Sequence, residues 1–91
     1  MKYYNALVEC VENKKKIRCS AWQKGEYIYH VSGKEIDVSA WVGHDDLTDS
    51  ERLRGYVTLS GHIDKMTHNN VRIIGWAPSP DEYDAEWEIV E

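Results

Sequence analysis

The chain has 91 residues, 42% hydrophobic and 30% charged, with a net charge of −5. That length supports one domain with a thin core, which makes oligomerisation an expectation. The acidic balance argues against DNA or RNA as a partner. No run reaches the about 18 apolar residues of a membrane span, and the first residues lack the apolar stretch of a signal peptide.

The charge is uneven. Residues 81–91 hold Asp81, Glu82, Asp84, Glu86, Glu88 and Glu91 with no Lys or Arg, which leaves the first eighty residues near neutral. Tyr3, Ala6, Leu7, Cys10 and Val11 fall at helical spacing and predict a short amphipathic helix over residues 3–12. Asn13 can end it, and Lys14, Lys15 and Lys16 suit the negative end of its dipole. Residues 15–22 (KKIRCSAW) predict a strand, Lys24-Gly25 a turn, and the alternating EYIYHV of residues 26–31 the second strand of a hairpin. Ser32-Gly33-Lys34 turns the chain again.

Residues 35–55 carry weaker signals. IDVSAWV is a short strand candidate bearing Trp41, and Thr48 with Glu51 has capping-box spacing ahead of a stop at Gly55, which fits one short helix or an ordered loop. Residues 56–63 (YVTLSGHI) predict a strand, Thr67 to Asn70 a turn, and residues 71–76 (VRIIGW) the returning strand. Pro78-Ser79-Pro80 breaks regular structure, residues 81–85 read as an acidic turn, and EWEIV closes the chain as a strand over residues 86–90. The expected fold class is α+β: a short N-terminal helix with a small, mainly antiparallel β-sheet, one domain over residues 1–91 with an insertion at about 35–55. Cys10 and Cys19 form neither a CxxC pair nor a dense framework and are expected as buried thiols in a reducing cytoplasm.

Four histidines (His30, His44, His62, His68) and Asp45, Asp46 and Asp64 are possible metal ligands. His62 and Asp64 lie two apart and share a strand face, and His44-Asp45-Asp46 is compact. Neither has the HExxH or paired CxxC spacing of an established site, so no metal is expected. A nucleophile elbow of the GxSxG kind is missing, and the carboxylates of the tail read as a solvated strand, so no catalytic residue is expected. The six glycines stand singly, without a phosphate-cradling loop. The aromatics remain. Alternation puts Trp87 in the core, Trp76 suits core or interface, and Trp22 stands at a strand end beside Arg18 and Lys24. An indole in a cleft there stacks a nucleobase with about 1–3 kcal/mol, although composition alone favours ordinary packing.

Two segments carry a family likeness. YYNALVECVENKKKIRCSAWQKGEYIY opens the chain and HIDKMTHNNVRIIGWAPSPDEYDAEWEIVE closes it. Together they resemble the opening and closing signatures of the second type of Thoeris anti-defence protein, a family of small phage nucleotide sponges, over about residues 3–31 and 62–91. The resemblance implies a phage-encoded protein of the host cytoplasm that binds a cyclic nucleotide alarm signal without cleaving it and uses no cofactor. The Thoeris signal is a glycocyclic ADP-ribose made by a TIR-domain enzyme, and some relatives also hold cyclic dinucleotides. It also implies a homo-oligomer, commonly a tetramer built as a dimer of dimers, with ligands between protomers.

Carried over residue by residue, the likeness makes Trp22 the platform for adenine. Asn69 in the polar turn offers an amide that donates and accepts, with Asn70 the alternative one register away. Asp81, after Ser79, becomes an acceptor for ribose hydroxyls, and Arg18 the nearest fixed cation for a pyrophosphate. Three positions depart from the family pattern. Cys19 stands where an Arg is usual, three residues before Trp22, and strand alternation turns Arg18 to the opposite face. Ser79 and Asp81 are one residue closer than usual, and Glu86 replaces a common Asp. Two other classes fit the composition: an acidic protein-binding inhibitor that uses residues 81–91 as an anionic mimic, and a cyclic-nucleotide hydrolase.

Overall fold

Tyr3, Ala6 and Cys10 recur on one helical face, and helix α1 (Tyr3–Glu12) buries all three, with Leu7 packed beside them. The helix ends as expected at Asn13, whose N–H reaches the Glu9 carbonyl at 3.1 Å. Lys14 then takes a left-handed φ of 55° and turns the chain into the first strand. This computed structural model describes residues 1–41 and 44–91, and of His44 the backbone alone. The expected strand position at Val42, and the His44 side chain of the His44-Asp45-Asp46 cluster, lie outside the described residues.

The chain divides into two compact units, Met1–Val31 with His62–Glu91, and Ser32–Gly61. The first contains β1 (Lys16–Cys19), β2 (Tyr27–Val31), β5 (His62–Met66), β6 (Arg72–Ile73) and β7 (Trp87–Val90) in one sheet of order β6-β5-β2-β1-β7. The second contains β3 (Lys34–Asp37) and β4 (Tyr56–Leu59), paired antiparallel. Every pairing in the larger sheet is also antiparallel, so the α+β class with a mainly antiparallel sheet holds.

Register explains the core of the first unit. Ile17 opposes Ile28 on one side and Ile89 on the other, and Cys19 opposes Trp87. Alternation puts these side chains on one face, where they pack with Tyr3, Ala6 and Cys10 of α1. The opposite face carries Arg18 against Glu88 and Tyr29 against Asp64. At the outer edge of β7, the Met1 carbonyl accepts the Trp87 N–H at 2.7 Å, and the terminal ammonium meets Glu86 at 2.9 Å.

In the second unit, Thr48 and Glu51 form the expected capping box, and α2 (Asp49–Arg54) follows, ending at Gly55 with φ 89°. Gly33 lies so close to the returning chain that an added Cβ would stand 2.6 Å from the Leu59 carbonyl oxygen and 3.1 Å from Gly61 N.

Five local expectations need correction. The returning strand over residues 71–76 shrinks to Arg72–Ile73, because Gly75 takes a left-handed φ of 71° with its N–H on the Asp64 carboxylate. The strand over residues 15–22 stops at Cys19, because the Trp22 N–H closes a turn onto the Cys19 carbonyl. Trp41 is not on a strand: the Asp37 carboxylate accepts from Ser39 N and Oγ and bends the backbone into a 3-10 turn over Val38–Ala40. The expected strand over residues 56–63 is two strands of different sheets, divided at Ser60-Gly61. The acidic turn is a helix, α3 (Pro80–Asp84), with Ser79 as N-cap, Pro80 in its first turn and Glu82 completing a second capping box. No helix among the described residues is long and apolar enough to cross a membrane.

Candidate functional site

The aromatic residues of the first unit converge. Trp22 sits in the turn after β1, and Trp87 lies on β7, 2% exposed. Trp76 follows Gly75, which takes a left-handed φ of 71°. The buried Asp64 carboxylate accepts the Gly75 N–H at 3.0 Å, and the Trp76 N–H then meets the Ile63 carbonyl at 2.7 Å. One acid on β5 therefore fixes the turn that delivers an indole. The ring centroids of Trp22 and Trp76 are 5.4 Å apart at 88°, and those of Trp22 and Trp87 are 5.0 Å apart at 74°. Such edge-to-face pairs add about 0.5–1.5 kcal/mol each beyond their buried area. Tyr3 joins from α1 with its ring 4.8 Å from that of Trp87.

Polar groups hold these rings in place. The Trp22 indole N–H donates to Glu82 Oε2 at 2.8 Å, and the Trp87 indole N–H donates to the Glu82 carbonyl at 2.8 Å. Burial pulls the Glu82 carboxyl upward, but the Ser79 backbone N–H, the Trp22 indole N–H and the charge of Lys65 together hold it below the usual range. Lys65 Nζ lies 3.9 Å from the centroid of the Trp22 ring and 5.8 Å from that of Trp76. It also lies 3.6 Å from Glu26 Oε1, which His68 Nδ1 approaches at 3.8 Å. The centre is thus a half-buried indole with an ammonium on its face and a carboxylate at its edge.

Of the expected site residues, Trp22 lies in this cluster. Asp81 is exposed in the first turn of α3, next to Glu82. Asn69 and Asn70 are exposed in the turn between β5 and β6, where Asn70 has φ 62° and its N–H meets the Thr67 carbonyl at 3.1 Å. Arg18 lies on the other sheet face, as alternation requires. Its guanidinium binds Glu88 and the carbonyls of Trp22 and Gln23, while its buried Nε has no partner among the described residues.

Sequence reasoning missed Glu82 and Lys65. The S-P-D-E spacing of a capping box marks Glu82, and alternation along HIDKM puts Lys65 on the same face as Ile63. Trp87 is core as expected, and Trp76 packs half-buried against the core. Cys10 and Cys19 are buried free thiols, and burial pushes the Cys10 thiol up. His62 and Asp64 share a face as expected, at 3.3 Å. Among the described residues, no three His, Cys, Asp or Glu side chains are grouped to hold a metal ion.

The residues that build this cluster come from both ends of the chain, the same ends that carried the family likeness. The sequence model of the Tad2-like family, described as the Thoeris anti-defense 2-like domain, matches residues 1–90. The chain belongs to that family. The match supports a Thoeris anti-defence role and extends across residues 32–61, where the two end signatures gave no likeness. No curated protein matches the chain.

Proposed function

We propose that this Tad2-like protein binds glycocyclic ADP-ribose and holds it intact, so that the Thoeris effector is never activated. It acts as a phage-encoded homotetramer in the host cytoplasm. The observation that carries the reading is the family match over residues 1–90. The aromatic cluster supports it physically. Trp22 is half-buried and its indole N–H is fixed on Glu82, so a stacking partner meets a ring already oriented. Adenine stacking contributes about 1–3 kcal/mol.

A sponge must out-compete an effector, which calls for nanomolar binding, about −12 kcal/mol. Stacking alone falls far short, and a pocket between protomers encloses a nucleotide on more sides than one small chain does. Asn69, or Asn70 in its place, supplies hydrogen bonds to base and ribose from the exposed β5–β6 turn, and Asp81 does so from the exposed start of helix α3. Cyclic dinucleotides form a second ligand class. The anionic-mimic reading is weaker because half of the acidic tail has partners within the chain: Glu82 with Trp22, Glu86 with the terminal ammonium, and Glu88 with Arg18.

The test mixes purified protein with glycocyclic ADP-ribose, removes free ligand, heat-denatures the protein and identifies what is released. Intact ligand in stoichiometric amount is expected, with light scattering reporting a tetramer. Release of a cleaved product would make the protein a hydrolase, and no uptake would reject the sponge.

A further inference from the structure

A pyrophosphate held beside Trp22 needs a cation, and neither the position where the family pattern has an Arg nor the sequence candidate Arg18 supplies one. Position 19 is a buried thiol. Arg18 lies on the far sheet face, with its Nη groups on Glu88 and on the carbonyls of Trp22 and Gln23. The cation at the ring is Lys65. It stands opposite Ile28 on the helix-covered face, only 12% of its side chain is exposed, and its Nζ rests 3.9 Å from the Trp22 centroid.

Two properties leave Lys65 free to turn, and a third makes the turn consequential. Its ammonium has three donors on a flexible four-carbon stem, unlike the rigid fork of an arginine. Its carboxylate partner, Glu26 Oε1, is 3.6 Å away, beyond a good charge-assisted hydrogen bond. It covers the ring surface that a base would take.

We propose that Lys65 is the phosphate-pairing group of the signal site. When adenine stacks on Trp22, the ammonium leaves the ring and turns to the pyrophosphate. One side-chain movement then uncovers the platform and supplies the countercharge. The exchange is favourable because a full anion attracts an ammonium more strongly than an aromatic quadrupole does. It is also required, because Glu82 on the indole N–H and Glu26 beside the ammonium would otherwise present two carboxylates without a cation to an incoming anion. This inference rests on the sponge reading.

The test is calorimetry with glycocyclic ADP-ribose on wild type and Lys65→Met, at salt concentrations from about 0.05 to about 0.5 M, which shortens the screening length severalfold. Wild-type affinity should fall severalfold over that range. Lys65→Met should bind at least about thirtyfold more weakly at low salt and should lose that fall, because neither charge pairing nor screening then acts on the contact. A merely structural role would not move the salt dependence. If the Met variant fails to fold, Lys65→Gln carries the same expectation, and a wild-type affinity that is flat with salt would itself overturn the assignment. Variant binding within about threefold of wild type at every salt, or tighter, overturns the Lys65 role and leaves the sponge standing. A wild type that takes up no ligand overturns both.

Discussion

The two units of this chain are held by different forces. Residues 1–31 with 62–91 bury Tyr3, Ala6, Cys10, Ile17, Cys19, Ile28 and Trp87 in one cluster, whereas in residues 32–61 Val57 alone among the described hydrophobics is buried. The second unit relies on the β3–β4 ladder, the Thr48–Glu51 capping box and the Asp37–Ser39 bonds. A packed core resists opening as a whole, while a segment held by exposed hydrogen bonds opens locally and often. The anti-defence signatures lie in the packed unit, so the rings that would meet a ligand stand on the stiffer part.

Trp87→Ala should break this contrast from the strong side. Emptying the site of a fully buried indole costs about 3–5 kcal/mol, a large share of the 5–15 kcal/mol typical of a domain. Urea melts should show the first unit unfolding at much lower denaturant. Trp22→Ala should weaken ligand binding by at least about 1–3 kcal/mol, the contribution of a stacked base, or roughly five- to 150-fold, with oligomer mass unchanged. Calorimetry that finds full binding would remove Trp22 as the platform.

Thr48→Ala should cost about 1 kcal/mol and act within the second unit only. Hydrogen exchange should quicken in α2 while the amides of β1 and β7 keep their protection, and equal loss in both would deny the separate behaviour of the units. The smallest effect concerns acid. Glu82 is held below its ordinary value near 4.5, so its contribution is present above that pH and is lost as pH falls through the lower folded value. Glu82→Gln should therefore lower Tm at neutral pH, and the gap from wild type should close on acidification. A constant gap from pH 7 to about 3 would show that the carboxylate charge is not what matters.

Legibility followed the same division of forces. Helix α1, the β1–β2 hairpin and β7 were legible because burial imposes a period on their residues. The aromatic face was half legible: Trp87 alternates with Glu88 and Ile89, but nothing local tells that Gly75 and Asp64 aim Trp76 beside Trp22. The split of residues 56–63 escaped because Tyr56–Leu59 and His62–Met66 alternate alike, and only their partners, β3 and β2, separate them. Helix α3 escaped because five residues give no hydrophobic period, although Ser79 and Glu82 spelled its cap. Arg18 shows the limit for site residues. Its strand face was readable, but its engagement with Glu88 depends on a strand that joins from the far end of the sequence.

The near-contact at Gly33 bears on how much the segment it closes can vary in length. The chain enters and leaves the 32–61 segment at adjacent points, with backbone so tight that a methyl group does not fit. A segment whose two ends touch is closed whatever its length, so lengthening it adds little closure entropy. Changes of length inside the segment should therefore cost little stability, whereas Gly33→Ala, which sets a methyl against the Leu59 carbonyl, should cost much more.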